Sequence, residues 1–203
     1  MNMRFVGSID DVLTLPEGKT GITLDGSGLV WGDMLNPPGM ALLCRLAASG
    51  YSPVFEFGTF RGNTAYKIAQ NLESGVVVTL DIPTDDSMSN IEQASYGDYT
   101  VIEIAKSCPR IEFLSGNSLT FDFVPHLNRY GLVFVDGGHS YEVCKHDSEA
   151  ALKIARPNGV VLWDDYGDYW PGVRQALNEL AKRVSLVYLQ KERVVIHIVP
   201  AKT

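Results

Sequence analysis

The sequence predicts an α/β fold of three layers. Helices cover both faces of a mostly parallel, seven-stranded sheet, and a C-terminal hairpin adds an antiparallel strand. Three observations predict it. Short apolar runs alternate with amphipathic helical stretches along the chain, an order that needs crossover connections between parallel strands. Runs such as "GVVVTLDI" are near-continuous in β-branched residues, as expected of strands buried on both faces. The last two runs, "SLVYLQ" and "RVVIHIVP", are separated by about two residues, which is hairpin spacing.

The elements follow in order. Residues 1–37 read as an N-terminal arm, glycine-containing and weakly periodic, with room for one short strand; residues 38–203 read as the core of a single domain. "NPPGMALLCRLAAS" starts a helix at its prolines, with Met40, Leu43 and Leu46–Ala47 at helical spacing. "SPVFEFG" is a strand, "RGNTAYKIAQNL" a helix and "GVVVTLDI" the second strand. Residues 83–96 are polar and read as a loop, a candidate lid. A helix around 97–107 leads into "RIEFLSG", the third strand, and a short helical or irregular piece precedes the fourth, 131–135. "EVCKHDSEAALKIA" is a helix, "GVVLWDD" the fifth strand and "GVRQALNELAKR" another helix before the hairpin.

Composition bounds the function. The chain has 203 residues, 45% hydrophobic and 20% charged, enough for one domain with a real core. A net charge of −7 argues against a broad nucleic-acid surface, which draws on clustered Lys and Arg. Cys44, Cys108 and Cys144 lie far apart with no CxxC pattern and read as reduced, mostly buried thiols. The start "MNMRFVGSIDD" has no apolar signal core, and no apolar run approaches the ~18–20 residues that span a bilayer. A cytoplasmic location with no membrane partner is the expectation, and homo-oligomerisation through the arm stays open.

Chemistry concentrates at the strand exits. "VFEFGTFRGNTA" places Glu56-x-Gly58-x-x-x-Gly62 at a strand-to-helix turn. Glycines there allow a tight turn and close approach of a ligand, and the helix start offers N–H groups. The dinucleotide fingerprint fails because Phe60 takes its middle glycine position, and no Gly-Lys-Ser/Thr follows for a phosphate loop. A ligand without a pyrophosphate fits better. Asp81, at the second strand's end and 23 residues after Gly58, can accept hydrogen bonds from ribose hydroxyls.

Asp136 ends the fourth strand, and Asp164-Asp165 end the fifth. If these strands are neighbours, three carboxylates converge and repel, a conflict that a divalent cation removes. All-oxygen ligands suit Mg²⁺, Mn²⁺ or Ca²⁺ better than zinc. His139 follows Asp136 across two glycines. The alternative is ordinary turn and cap chemistry: Asp136 as a turn residue, Asp164 or Asp165 capping the next segment, His139 capping the helix near Ser140.

"VFEFGTFRGNTAYKIA" followed by "VVTLDI" resembles the first two motifs of class I S-adenosylmethionine-dependent methyltransferases, whose fold is Rossmann-like. The resemblance implies that the loop Gly58, Thr59, Phe60 to Gly62, with Glu56 before it, receives the methionine portion. It implies that Asp81 and Ile82 meet the ribose, and that Asn117 and Ser118 of "FLSGNS" lie along the adenine. "FVDGGHSYE", "RPNGVVLWDDY" and "WPGVRQALNEL" are similar to metal-dependent O-methyltransferases of the macrocin type, and more widely to the catechol type. There the resemblance implies Asp136, Asp164 and Asp165 as holders of a divalent metal, most simply Mg²⁺, with Asp136 also beside the cofactor. It gives His139 the role of general base. The chain is short for the macrocin type, which counts against a large acceptor.

The expected reaction is methyl transfer to a hydroxyl of a small molecule, a vicinal diol, sugar or catechol-like ring. Tyr166, Tyr169 and Trp170 could stack on such a ring, or could simply pack their loop onto the next helix. Three rivals stand beside this reading. They are a metal-independent methyltransferase acting on nitrogen, a nicotinamide oxidoreductase, and a cofactor-binding module without turnover.

Overall fold

The computed structural model describes residues 3–14, 35–82 and 101–202. The 83–96 loop, and the part of the 97–107 helix before residue 101, lie outside them. Strand β1 (Met3–Val6) is followed by a 3₁₀ turn at Ile9–Asp11, closed by reciprocal capping between Ser8 and Asp11. Helix α1 (Pro37–Ala48) begins where the Asn36 side chain accepts from the Gly39 N–H at 3.0 Å, with proline in its first turn. Then come β2 (Val54–Phe57), α2 (Asn63–Asn71), β3 (Val77–Asp81) and α3, a single turn at Glu103–Lys106. Strand β4 (Ile111–Ser115) leads through a 3₁₀ turn at Val124–His126 into β5 (Tyr130–Val135). Helix α4 (Tyr141–Ile154), β6 (Ala155–Trp163), α5 (Pro171–Leu180), β7 (Leu186–Leu189) and β8 (Val194–Ile198) complete the order.

The sheet runs β1-β7-β8-β6-β5-β2-β3-β4. Strand β8 is antiparallel to both neighbours and every other pair is parallel. The sheet therefore has eight strands where seven were expected, and the added one is β1. Its four residues bury only Met3, so no hydrophobic pattern marks it in sequence. Pairing with β7 covers an edge that would otherwise present unpaired backbone groups.

Alternation sorts the strand side chains between two cores. In β5, Leu132 and Phe134 pack with α1 and α2 on one face; Val133 and Val135 pack with α4 and α5 on the other. Trp163 is fully buried in the second core, and its indole N–H donates to the Ser148 hydroxyl at 2.9 Å. Ser148 in turn donates to the Cys144 carbonyl at 2.6 Å, so one chain of bonds ties β6 to α4. All three cysteines are free thiols, Cys44 and Cys144 buried and Cys108 partly so. No helix among the described residues is long and apolar enough to cross a membrane.

One acid lies inside the sheet. Glu56 of β2 is fully buried; the Thr79 hydroxyl donates to its Oε2 at 2.5 Å, while Oε1 has no hydrogen-bond partner. Burial first, and the nearby Asp81 charge in the same direction, push its carboxyl up to about 8, against the Thr79 bond, which pulls it down. The folded chain thus holds a proton here that the unfolded chain releases at ordinary carboxylate pH. The resulting stability is complete below pH ~4.5 and is lost as pH rises through about 8.

Two measurements check the fold. Trp163→Ala should cost about 3–5 kcal/mol in chemical denaturation, whereas Tyr169→Ala, at a ring 82% exposed, should stay within about 0.5 kcal/mol. Glu56→Gln should gain stability relative to the parent by about 1.4 kcal/mol per pH unit across that window and level off above it. Parallel denaturation profiles of the two proteins from pH 5 to 9 would refute the buried-acid assignment.

Candidate active site

A cavity of about 700 Å³ opens at the carboxyl edge of the sheet. It lies where the strand order turns back: β2 pairs with β3 on one side and with β5 on the other. Such a reversal splays the following loops apart and leaves a crevice for a ligand. The exits of β2 and β5 are themselves in close contact. The Asp136 N–H donates to the Phe57 carbonyl at 3.0 Å, and the Gly58 N–H to the Leu80 carbonyl at 2.9 Å. Gly58 has φ +91°, and a Cβ there would fall 2.1 Å from the Asp136 carbonyl oxygen. Only glycine fits that turn.

The loop beyond Gly58 is wound tightly. Phe60 and Gly62 also have positive φ, and Gly62 stands at the N-cap of α2 without a side chain to cap it. Asp81 holds the loop from β3: one carboxylate oxygen accepts the Phe60 N–H at 2.7 Å and the other the Ile82 N–H at 2.8 Å. The Thr59 and Thr79 hydroxyls lie 2.7 Å apart, linking the loop to buried Glu56. Thr59, Phe60, Asp81 and Ile82 line the cavity with Asn117 and Ser118 from the exit of β4. Gly62 and Glu56 do not line it; one shapes the helix start and the other lies beneath the loop.

The acids gather on the other side of the reversal. Asp136, Asp164 and Asp165 line the same cavity, and the Asp164 N–H donates to the Val135 carbonyl at 3.2 Å, continuing the β5–β6 register. Burial, then the charges of Asp164, Asp165 and Glu56, raise the Asp136 carboxyl well above its usual range. Burial and Asp165 lift Asp164 to about 7, against weaker pulls from a backbone hydrogen bond, Arg193 and His139. His139 Nε2 lies 2.8 Å from Asp165 Oδ2, and its ring stacks on Trp170 at 3.8 Å between centroids, 10° from parallel. Donor atoms of Asp136, His139 and Asp165 all lie within 4.8 Å of one another. Asp164 stands outside that group of three.

The donor chemistry suits a hard cation. Mutually repelling carboxylates, one of them strongly desolvated, are relieved by a positive charge between them. An imidazole among the oxygens also admits transition metals. The turn reading is resolved in part: Ser140, not His139, caps α4, accepting from the Val143 N–H at 3.2 Å. The three aromatics after the acid pair go separate ways. Trp170 covers His139, Tyr166 donates to Asn178 of α5 at 3.0 Å and packs against Tyr188, and Tyr169 is exposed.

Sequence reasoning missed several cavity residues. Asn36 ahead of α1, Asp147 of α4 and Arg193 of the β7–β8 turn all line it. Asp147 is buried and is lifted to about 6 by that burial, against Ser118 and the His146 charge, and its Oδ1 lies 3.6 Å from His146 Nδ1 without a hydrogen-bond partner. Its position on an amphipathic helix looked like ordinary helix polarity. Asn36 and Arg193 reach the cavity only through the tertiary path of the chain.

Comparisons with known proteins agree with this fold. A family described as a methyltransferase domain matches residues 55–166. A search of curated proteins found no match. Among solved structures, an O-methyltransferase from Bacillus cereus in complex with SAH is 21% identical over 94% of each chain, at a TM-score of 0.57. TomG, the O-methyltransferase from Streptomyces achromogenes involved in tomaymycin synthesis and solved with SAM, is 24% identical over 80% of each chain, at 0.52. The O-methyltransferase NovP is 15% identical over 80% of each chain, at 0.61. These likenesses establish the shared fold. With more than half of its 203 residues inside the family match, the chain belongs to the methyltransferase-domain family.

Proposed function

We propose that this chain is a single-domain O-methyltransferase that moves the methyl group of S-adenosylmethionine to a hydroxyl of a small molecule, with a divalent cation, Mg²⁺ most simply, at its acid cluster. One observation carries the reading. A His–Asp pair, His139 Nε2 to Asp165 Oδ2 at 2.8 Å, shares a cavity with the glycine loop and with two further carboxylates. S-adenosylmethionine supplies a methyl on a sulfonium, an electrophile that needs only an oriented, deprotonated oxygen. Glu56, Gly58, Thr59, Phe60, Gly62, Asp81, Ile82, Asn117, Ser118 and Asp136 form or support its seat, on the β2–β3–β4 half and at the reversal. Asp136, Asp164 and Asp165 would hold the cation, which lowers the pKa of a nearby hydroxyl.

His139 is the general base. Asp165 fixes the Nε2–H, which leaves Nδ1 as the ring nitrogen with a lone pair. Trp170 holds the ring flat and excludes water from one of its faces. The acceptor hydroxyl loses its proton to Nδ1 as its oxygen bonds to the methyl carbon. The carbon–sulfur bond breaks in the same displacement, leaving S-adenosylhomocysteine and a protonated imidazole beside Asp165. Orientation of the two reactants supplies much of the rate.

The His139–Asp165 contact also favours a second reading, an Asp-oriented base that works without a cation. Chelation separates the two. EDTA should abolish wild-type methyl transfer and Mg²⁺ should restore it, while Asp165→Ala should be inactive with or without Mg²⁺. Full activity in EDTA would eliminate the cation and leave the dyad. His139→Ala should lower kcat by roughly 10²-fold or more while S-adenosylhomocysteine still binds in calorimetry. A variant turning over at the parent rate would remove His139 from the base role.

A further inference from the structure

We propose that Arg193 reads an oxyanion on the acceptor, so that the substrate is a hydroxylated small molecule bearing a carboxylate or phosphate. This rests on the O-methyltransferase reading and names its substrate class. Strand β7 runs parallel to the central strands and β8 returns antiparallel, so the turn between them emerges at the carboxyl edge, where the cavity lies. Arg193 is in that turn and lines the cavity with Asp136, His139 and Asp165. Its charge acts on Asp164, without an ion pair or side-chain hydrogen bond to any described residue.

The turn is built to hold that position. Arg193 has φ +62°, and its N–H closes the turn onto the Leu189 carbonyl at 2.7 Å. Buried Glu192 accepts the Ile9 N–H at 3.4 Å, while Gln190 and Lys191 donate to the carbonyls of Val6 and Gly7 at 3.0 and 3.1 Å. The N-terminal strand therefore buttresses the base from which the guanidinium projects. Rigid support matters, because an exposed cation on a loose loop returns little binding energy.

Charge and distance select the occupant. Arg61 and Arg193 are the arginines lining the cavity, and no lysine joins them among the described residues. Arg61 sits in the glycine loop, on the cofactor's half. Arg193 is based on the β7–β8 pair beyond β6, with β6 and β5 between that pair and β2. Three strand spacings from β8 to β2 amount to ~14 Å, which sets Arg193 apart from the methionine carboxylate seat. The space beside it is the acceptor's. With the cation taken up by the three carboxylates and the acceptor hydroxyl, Arg193 is the arginine left on this half of the cavity among the described residues, with a planar fork suited to carboxylate or phosphate. That binding turns the opposite, hydroxyl-bearing end towards His139.

Calorimetry on the full chain tests this, with Mg²⁺ throughout. The first titration is S-adenosylhomocysteine, and its failure to bind would count against the cofactor reading and take this proposal with it. The loaded protein is then titrated with two matched pairs, 3,4-dihydroxybenzoate against 3,4-dihydroxybenzamide and glycerol 3-phosphate against glycerol. In at least one pair the anion should bind roughly tenfold tighter or more, about 1.4 kcal/mol, and the pair that shows it tells carboxylate from phosphate. Arg193→Gln should reduce that ratio to below about threefold. Lys191→Gln, an exposed charge on the same turn, should leave it intact. Equal or undetectable binding of both members in both pairs, with S-adenosylhomocysteine bound, overturns the Arg193 assignment alone. So does a preference that survives Arg193→Gln, or that Lys191→Gln also erases. A loss of S-adenosylhomocysteine affinity in Arg193→Gln would assign the guanidinium to the cofactor and overturn it as well.

Discussion

The site depends on how closely the exits of β2 and β5 approach each other. Gly58 leaves β2 against the Asp136 carbonyl, at a separation that would bring a Cβ within 2.1 Å of its oxygen. That contact holds the first residue of the glycine loop against the first residue of the acid cluster, so neither can shift without the other. The parallel register behind it, Phe57 opposite Val135, is fixed by side chains buried on both faces of each strand. A one-residue slip would exchange the two cores and invert every side chain at the edge. The apolar interior therefore sets the spacing of the polar site.

The same closeness creates an electrostatic problem. Burial pushes Asp136 and Asp164 towards the protonated state, helped at Asp136 by Asp164 and Asp165 and at Asp164 by Asp165, and Glu56 lies beneath them with a raised value of its own. Folding assembles this cluster at a cost met by the two cores, and the repulsion is a reservoir that a bound positive charge releases. His139 occupies the boundary, in contact with Asp165 and shielded on one face by Trp170. A chain selected for stability alone would have little reason to place two carboxylates around one imidazole with a third beside them. Functional sites are where such local conflicts concentrate.

Much of this was legible in the sequence, for an identifiable reason. Strands buried on both faces leave unbroken apolar runs, and the residue ending each run must lie at the sheet edge; Asp81, Asp136 and Asp164 were found in that way. Gly58 was legible because a positive φ at close backbone approach admits little else. What escaped notice was set by tertiary path. The one short strand allowed for in the arm could not be placed or counted in the sheet, because β1 has four residues and one buried side chain, too little for any periodicity. It exists because β7 has an edge to pair. The fate of Trp170 could not be separated from those of Tyr166 and Tyr169, since one loop sends three rings to three environments. Arg193 lies between two strands of a hairpin, where a charged residue is the commonest thing to find.

The eighth strand then acquires a role beyond protecting an edge. It pairs with β7, and the segment after it, from Val6 to Ile9, bonds to Gln190, Lys191 and Glu192, the three residues before Arg193. The half of the sheet beyond β6 is thereby stiffened at the end facing the cavity. The exits of β2, β3 and β4 present glycine turns, hydroxyls, Asp81 and Arg61; those of β5, β6 and β7 present three acids, an imidazole and an arginine. A ligand lying across the reversal meets mostly neutral hydrogen-bonding groups at one end and a denser cluster of charged ones at the other. That asymmetry follows from the strand order, because the crossover from β4 back to β5 separates the two sets of loops. It leaves two chemically different surfaces on either side of one backbone contact.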